Sequence, residues 1–386
     1  MTRSAFRLPA LTSTRRTVLS TVLAAALLAA CGGGGDSSSM GSYGGNNNGG
    51  GGNYGGSGTS YAATALVADT AGAAHTDANL VNGWGVAFNP NGYVWVANNG
   101  TNTSTLYDGN GVPQSLVVTI PNGAGGAASP TGIVFSSSST DFMVSQAGAS
   151  GASAFLFAGE GGTITGWSPA VNMNAAITAV DNSATGAVYK GLALAAQGRA
   201  NFLYAADFHH NQIAVFDSHF APASTTGGFV DPNLPAGYAP FNIQAIGGKL
   251  YVAYAQQDAS AHDEVAGSGL GLIDVYDTAG TLLQRLVTGG QLNAPWGMAM
   301  APANFGPYSG DLLVGNFGDG KINAFNPTTG AYVGTISTAA GAPIVIDGLW
   351  GIAFGNGLNA QPTNTLFYAA GPGDEAHGAY GRIDVQ

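Results

Sequence analysis

Charge is what this chain has least of. Only 8% of its 386 residues are Asp, Glu, Lys or Arg, where soluble domains ordinarily carry about 25%. Basic residues are scarcest. Of the ten, Arg3, Arg7, Arg15 and Arg16 crowd the first sixteen positions, leaving six against 21 acidic residues. Such a surface repels phosphate backbones, which excludes nucleic acid as a partner. A single cysteine excludes an intrachain disulfide. The longest apolar run, Val18–Leu28, is too short for a permanent membrane span. There is no Gly-x-Ser-x-Gly elbow, His-Glu-x-x-His, Cys-x-x-Cys, phosphate-binding loop or EF-hand loop, nor any motif for a quinone or flavin. Glycine and apolar residues are abundant instead: 62 glycines, with 45% of residues hydrophobic and 10% aromatic. That composition can bury a large core and suits many short strands joined by tight turns.

Residues 1–31 read as an export signal: a basic stretch ending at Arg15-Arg16, then the apolar run. The run closes on Leu28-Ala29-Ala30-Cys31, which resembles the lipobox of bacterial lipoproteins. That resemblance implies acylation of Cys31 and a membrane anchor, against a plain secretory signal with an incidental cysteine. Thr14-Arg15-Arg16-Thr17-Val18-Leu19 resembles a twin-arginine motif, and a general secretory n-region explains it equally well. Gly32 after the cysteine is expected to favour the outer membrane. Residues 32–60, rich in Gly, Asn and Ser, are expected to form a flexible tether.

From Tyr61 onward the chain repeats. Six apolar segments centre on Gly85, Gly132, Gly191, Asn242, Gly297 and Gly351. Each is followed by a second strand such as Val94-Trp95-Val96-Ala97, Phe142-Met143-Val144 or Leu250-Tyr251-Val252-Ala253. Third strands ending in Asp or Asn lead into Gly-containing turns, and fourth strands return. Four strands per unit of roughly fifty residues predict an all-β fold, a six-bladed β-propeller over 61–386. The last unit holds only three strands, and Ala65-Leu66-Val67-Ala68 is expected to complete it, removing free sheet edges.

The Gly-apolar-Ala openers and Ile-x-Val-Phe/Tyr-Asp third strands resemble NHL-type repeats. Asn82-Gly83-Trp84-Gly85, Ala294-Pro295-Trp296-Gly297 and Gly348-Leu349-Trp350-Gly351 resemble an uncharacterised family of exported bacterial propellers. Some members of that family end in a Pro-Glu-Pro sorting tail, which this chain lacks. The resemblance implies a fold and no established activity.

Strand parity puts the loops between second and third strands on one rim, beside the start of the innermost strands. Candidate binding residues there are Lys190, Asp207, His209, Asn98, Asn316, Asp319 and Asp374. Lys190 either pairs with an acidic loop residue or orients an anionic ligand. His209 and His210 point to opposite faces, so at most one looks into the channel. Trp84, Trp296 and Trp350 fit packing of large against small residues between blades. Asn98, Asp207 and Asn316 offer the hard oxygen ligands that Ca²⁺ prefers. By analogy with enzymes on six-bladed propellers, an ion there implies a hydrolase or lyase. The default expectation is a binding or scaffold module anchored at a bacterial cell envelope, for a protein, glycan or small-molecule partner.

Overall fold

The glycines that open the repeats explain how the ring closes. In the computed structural model, which describes residues Ser60–Gln386, each is the point where one innermost strand meets the next. A methyl group on Gly85 would stand 2.5 Å from the Thr131 carbonyl oxygen, and one on Gly297 2.5 Å from that of Trp350. Gly132 faces the Leu192 backbone in the same way, Gly191 faces Asn242, and Gly351 faces Trp84. The contacts run from blade one round to blade six and back to blade one. Only a residue without Cβ lets the backbones approach so closely. Asn242, the one opener that is not glycine, spans its gap with a hydrogen bond from Nδ2 to the Trp296 carbonyl, 2.7 Å.

The fold is all-β, a six-bladed propeller. Blade one comprises Gly83–Phe88, Val94–Asn98, Thr103–Tyr107 and Pro113–Thr119, in order from the axis outward. Blades four and five follow the same plan from Tyr238–Ile246 and Pro295–Met300. The sixth blade holds Leu349–Phe354, Leu366–Ala370 and Ala379–Val385, and Tyr61–Ala68 pairs antiparallel with the last of these, Tyr61 opposite Val385. Second strands are sandwiched between neighbouring blades, so Val94–Asn98, Phe155–Gly159, Leu312–Asn316 and Leu366–Ala370 are buried along their whole length. Residues packed on both faces read as unbroken small and apolar runs, which is why these segments stand out in the sequence.

Two blades depart from the expected plan. In blade two, the segment around Phe142-Met143-Val144 is not the second strand. Met143–Gln146 and Ala149–Ala152 form a separate hairpin, and the second strand is Phe155–Gly159, paired with Pro130–Phe135. The insertion accounts for the long spacing to Gly191. Blade three has three strands, Tyr189–Gln197, Ala200–Asp207 and Gln212–Phe216, and no regular fourth. The expected signal over 1–31, its Cys31, and the expected tether as far as residue 59 lie outside the described residues.

Candidate functional site

Side chains just before the openers converge on the axis, because alternate residues of a strand point to opposite sides. Glycine faces the next blade, and its predecessor faces the centre. Trp84, Trp296 and Trp350 therefore meet one another rather than packing between blades. Trp84 stacks on Trp350 with ring centroids 3.5 Å apart, and Trp296 sits edge-on to both at 5.7 and 5.8 Å. Phe241 and Phe317 complete this plug against Trp350. Beneath it the axis keeps a void of about 20 Å³, room for about one water. The plug closes the axis on this side, while a cavity of about 260 Å³ lined by Val86, Ile133, Leu192 and Gln244 lies further along it.

Lys190 occupies the same position in blade three, and its side chain is only 1% exposed. Its ammonium lies 5.3 Å from the Trp84 ring centre and 5.9 Å from that of Phe208. Above it stand carboxylates from separate loops. Nζ donates to Glu160 Oε1 at 2.6 Å and Asp263 Oδ1 at 3.3 Å, with Glu264 Oε2 at 3.9 Å. Glu160 follows the second strand of blade two, and its other oxygen accepts from Asn99 Nδ2 at 2.7 Å. Asp263 and Glu264 belong to an insertion in blade four, where Glu264–Val265 pairs back onto Gln256 and Gln257. Glu375 comes from blade six, held by Asn82 Nδ2 at 2.9 Å, while Asn82 Oδ1 accepts from Trp350 Nε1.

One cation thus serves four carboxyl groups. Burial opposes the Lys190 charge, but Glu160, Glu264 and Asp263 outweigh it and hold the ammonium well above its ordinary value. Such a lysine stays protonated and is not available as a base or nucleophile. Burial pushes Glu264 up to about 7, with Lys190 only partly offsetting it. Glu375 is raised by burial and by Glu160. Asp263 resists burial and is held low by Lys190 and His262. Beside this mouth lies a cavity of about 470 Å³ lined by Glu160, His209 and His262. Ligand atoms of Glu160, His262 and Asp263 fall within 4.8 Å of one another, the one such group of metal-ligating side chains among the described residues.

Other candidates stay within their own blades. Asn98 Nδ2 donates to Thr103 and Thr105 hydroxyls, both at 3.0 Å. Asn316 Nδ2 donates to the Gln291 carbonyl at 2.8 Å and to Asp319, which also pairs with Lys321. Asp207 accepts from His210 Nδ1 at 2.8 Å and Gln212 Nε2 at 3.1 Å. Asp374 is exposed beside Glu375. The convergent set is therefore Lys190, Glu160, Asp263, Glu264 and Glu375, with His209 nearby. Glu160 escaped notice because the inserted hairpin displaced the expected loop, although Phe155-Leu156-Phe157-Ala158-Gly159 carries the second-strand pattern that precedes it. Asp263 and Glu264 sit too far along an extended loop for strand parity to place them.

No family model matches the chain. The uncharacterized protein R648 of Acanthamoeba polyphaga mimivirus is 36% identical over 318 residues, covering 81% of this chain and 76% of that protein. The chain belongs to its family. A second uncharacterized mimivirus protein, L690, is 37% identical over 292 residues, covering 73% of this chain and 75% of its own length. Among solved structures, a structural genomics protein of unknown function from Bacteroides thetaiotaomicron superposes with a TM-score of 0.54 at 12% identity, over 85% of this chain and 76% of that one. That likeness is one of fold. The relatives matched in sequence are viral, so the bacterial restriction implied by the exported-propeller resemblance does not hold for this family.

Proposed function

We propose that the propeller is a binding module whose axial mouth takes a cationic group from a partner. The observation that carries this reading is the imbalance at Lys190: one ammonium faces Glu160, Asp263, Glu264 and Glu375, on a protein of net charge −11. The aromatic plug makes the mouth a shallow receptor rather than a tunnel. A lysine or arginine side chain seated there would relieve like-charge repulsion and bind in a salt-dependent manner. Calorimetric titration with pentalysine at low salt tests the idea. Binding should weaken on adding salt and on Glu375→Gln; no heat at low salt would refute it.

A calcium-dependent hydrolase or lyase is the second reading, in which Glu160 and Asp263 would supply oxygen ligands with His262 beside them. It requires a chelator to lower the melting temperature and calcium to restore it; identical melting curves would remove it. Membrane anchoring through Cys31, with export to a bacterial-type outer envelope, rests on the Leu28–Cys31 motif. Cys31→Ser should then shift the protein from the membrane to the soluble fraction, and unchanged fractionation would discard the anchor.

A further inference from the structure

Blade three stops at Gln212–Phe216 while every other blade carries an outer strand. Its place is only begun. Asp217 donates its N–H to the Ala221 carbonyl at 2.9 Å and Ala223 donates to the Val215 carbonyl at 2.8 Å, forming a single bridge between Phe216 and Pro222. The chain then leaves, and Gly227 and Phe229 bond instead to Ala279 and Gly280 of blade four. In an antiparallel ladder the outward-facing groups belong to alternate residues. Val215 offers its carbonyl outward, so its N–H and both backbone groups of Ile213 face the same way. Among the described residues none of these three has a backbone partner. They open onto a cavity of about 670 Å³ lined by Asn182, Tyr189, Asp207, His210, Ile213 and Val215.

We propose that this edge binds an extended peptide segment of a partner protein, which adds the missing strand to blade three. Three unmet backbone groups in a row call for the regular spacing of another strand. Charge narrows the choice. At one end of the edge Asp217 is half-buried, at the other Asp207 is buried and engaged by His210 and Gln212, and neither lysine nor arginine lines the cavity. The segment is therefore basic at the end that meets Asp217, with small or β-branched residues along the edge. Asn182, Thr185, Pro222 and Ala223 also line this cavity. The site is separate from the axial mouth and does not depend on a cationic ligand there.

The test uses the full chain and the hexapeptide acetyl-Lys-Thr-Val-Thr-Val-Lys-amide, with amide exchange across 211–217 followed by mass spectrometry. In free protein the Ile213 and Val215 amides should exchange quickly, and saturating peptide should slow both by about tenfold or more. A peptide with glutamate in place of both lysines should bind at least about tenfold more weakly. Ile213→Pro removes the outward donor without touching the ladder to Ala200–Asp207, a position where an edge strand tolerates proline. It should abolish protection, while Ile213→Val should retain it. The proposal falls if the peptide leaves exchange unchanged, or if both peptides protect equally. It also falls if the two amides are already protected in dilute free protein, which would mean that the chain covers its own edge. Protection that rises with protein concentration in the absence of peptide would assign the edge to a second copy and overturn it too.

Discussion

Glu264 is the residue at which the price of the mouth can be measured. Its side chain is 6% exposed, its nearest cation is Lys190 at 3.9 Å, and burial pushes its carboxyl from 4.5 up to about 7. A group that binds its proton more tightly when folded stabilises the fold below its unfolded value, and that contribution is lost as pH rises through the folded value. Each tenfold change in proton affinity corresponds to about 1.4 kcal/mol, so ionising Glu264 costs about 3 kcal/mol between pH 4.5 and 8. Asp274 moves in the same direction, to about 6, through its own burial, so the wild-type curve alone does not isolate Glu264. The difference from Glu264→Gln does. Glutamine keeps the shape and leaves Lys190 paired with Glu160 and Asp263. Urea unfolding from pH 5 to 8.5 should show the variant gaining about 2.5 kcal/mol on the wild type as pH rises. Parallel curves would refute the assignment of a strained, buried carboxyl at this position.

Lys190→Met removes the cation that Glu160, Asp263 and Glu264 share, and leaves Asp263 only its contact with His262. Leaving the mostly buried side chains of Glu160 and Glu264 without this counter-charge should destabilise the fold by about 3–5 kcal/mol at pH 8, with partial recovery at pH 5, as read by urea unfolding. A loss under about 1 kcal/mol would show that the carboxylates relax into solvent. Gly351→Ala drives a methyl group into the Trp84 backbone of the neighbouring blade and should cost at least about 1–3 kcal/mol. Gly92→Ala, where the added methyl meets only the Asn89 side chain, should stay within about 0.5 kcal/mol on thermal melting. Equal effects would mean that ring closure does not depend on the opener glycines.

The ring was legible because its determinant is local and repeated. A glycine at each opener, followed by an apolar run, is needed wherever two innermost strands touch, and Asn242 is readable as the exception because everything around it keeps the pattern. Blade two misled because Met143-Val144 does begin a strand, placed in an inserted hairpin by contacts that its own residues do not specify. The open edge of blade three left a fainter trace. Pro222, Gly227, Gly228, Pro232 and Pro235 crowd the stretch where a fourth strand belongs, and proline cannot donate to a ladder. Lys190 was recognisable as the charged opener, but its partners were not. Glu160, Asp263, Glu264 and Glu375 come from blades two, four and six, and no sequence spacing links loops that meet only because the ring is closed.

That closure is also what makes the mouth sustainable. Like charges this close would part if their loops hung on independent elements, but here each loop is rooted in a second strand held between two neighbouring blades. The strain is spread over the ring, where backbone packing at the opener glycines and the aromatic plug beneath Lys190 offset it. The argument distinguishes two kinds of damage. Loosening the ring at Gly351 should let the loops separate, so it should lower the pH dependence carried by Glu264 as well as overall stability. Removing one charge at the mouth should change the pH dependence and leave the ring intact. If Gly351→Ala lowers stability equally at every pH and leaves the Glu264 contribution whole, the blade framework and the acidic mouth are energetically independent, and the account of how this propeller holds four carboxyl groups over one lysine is wrong.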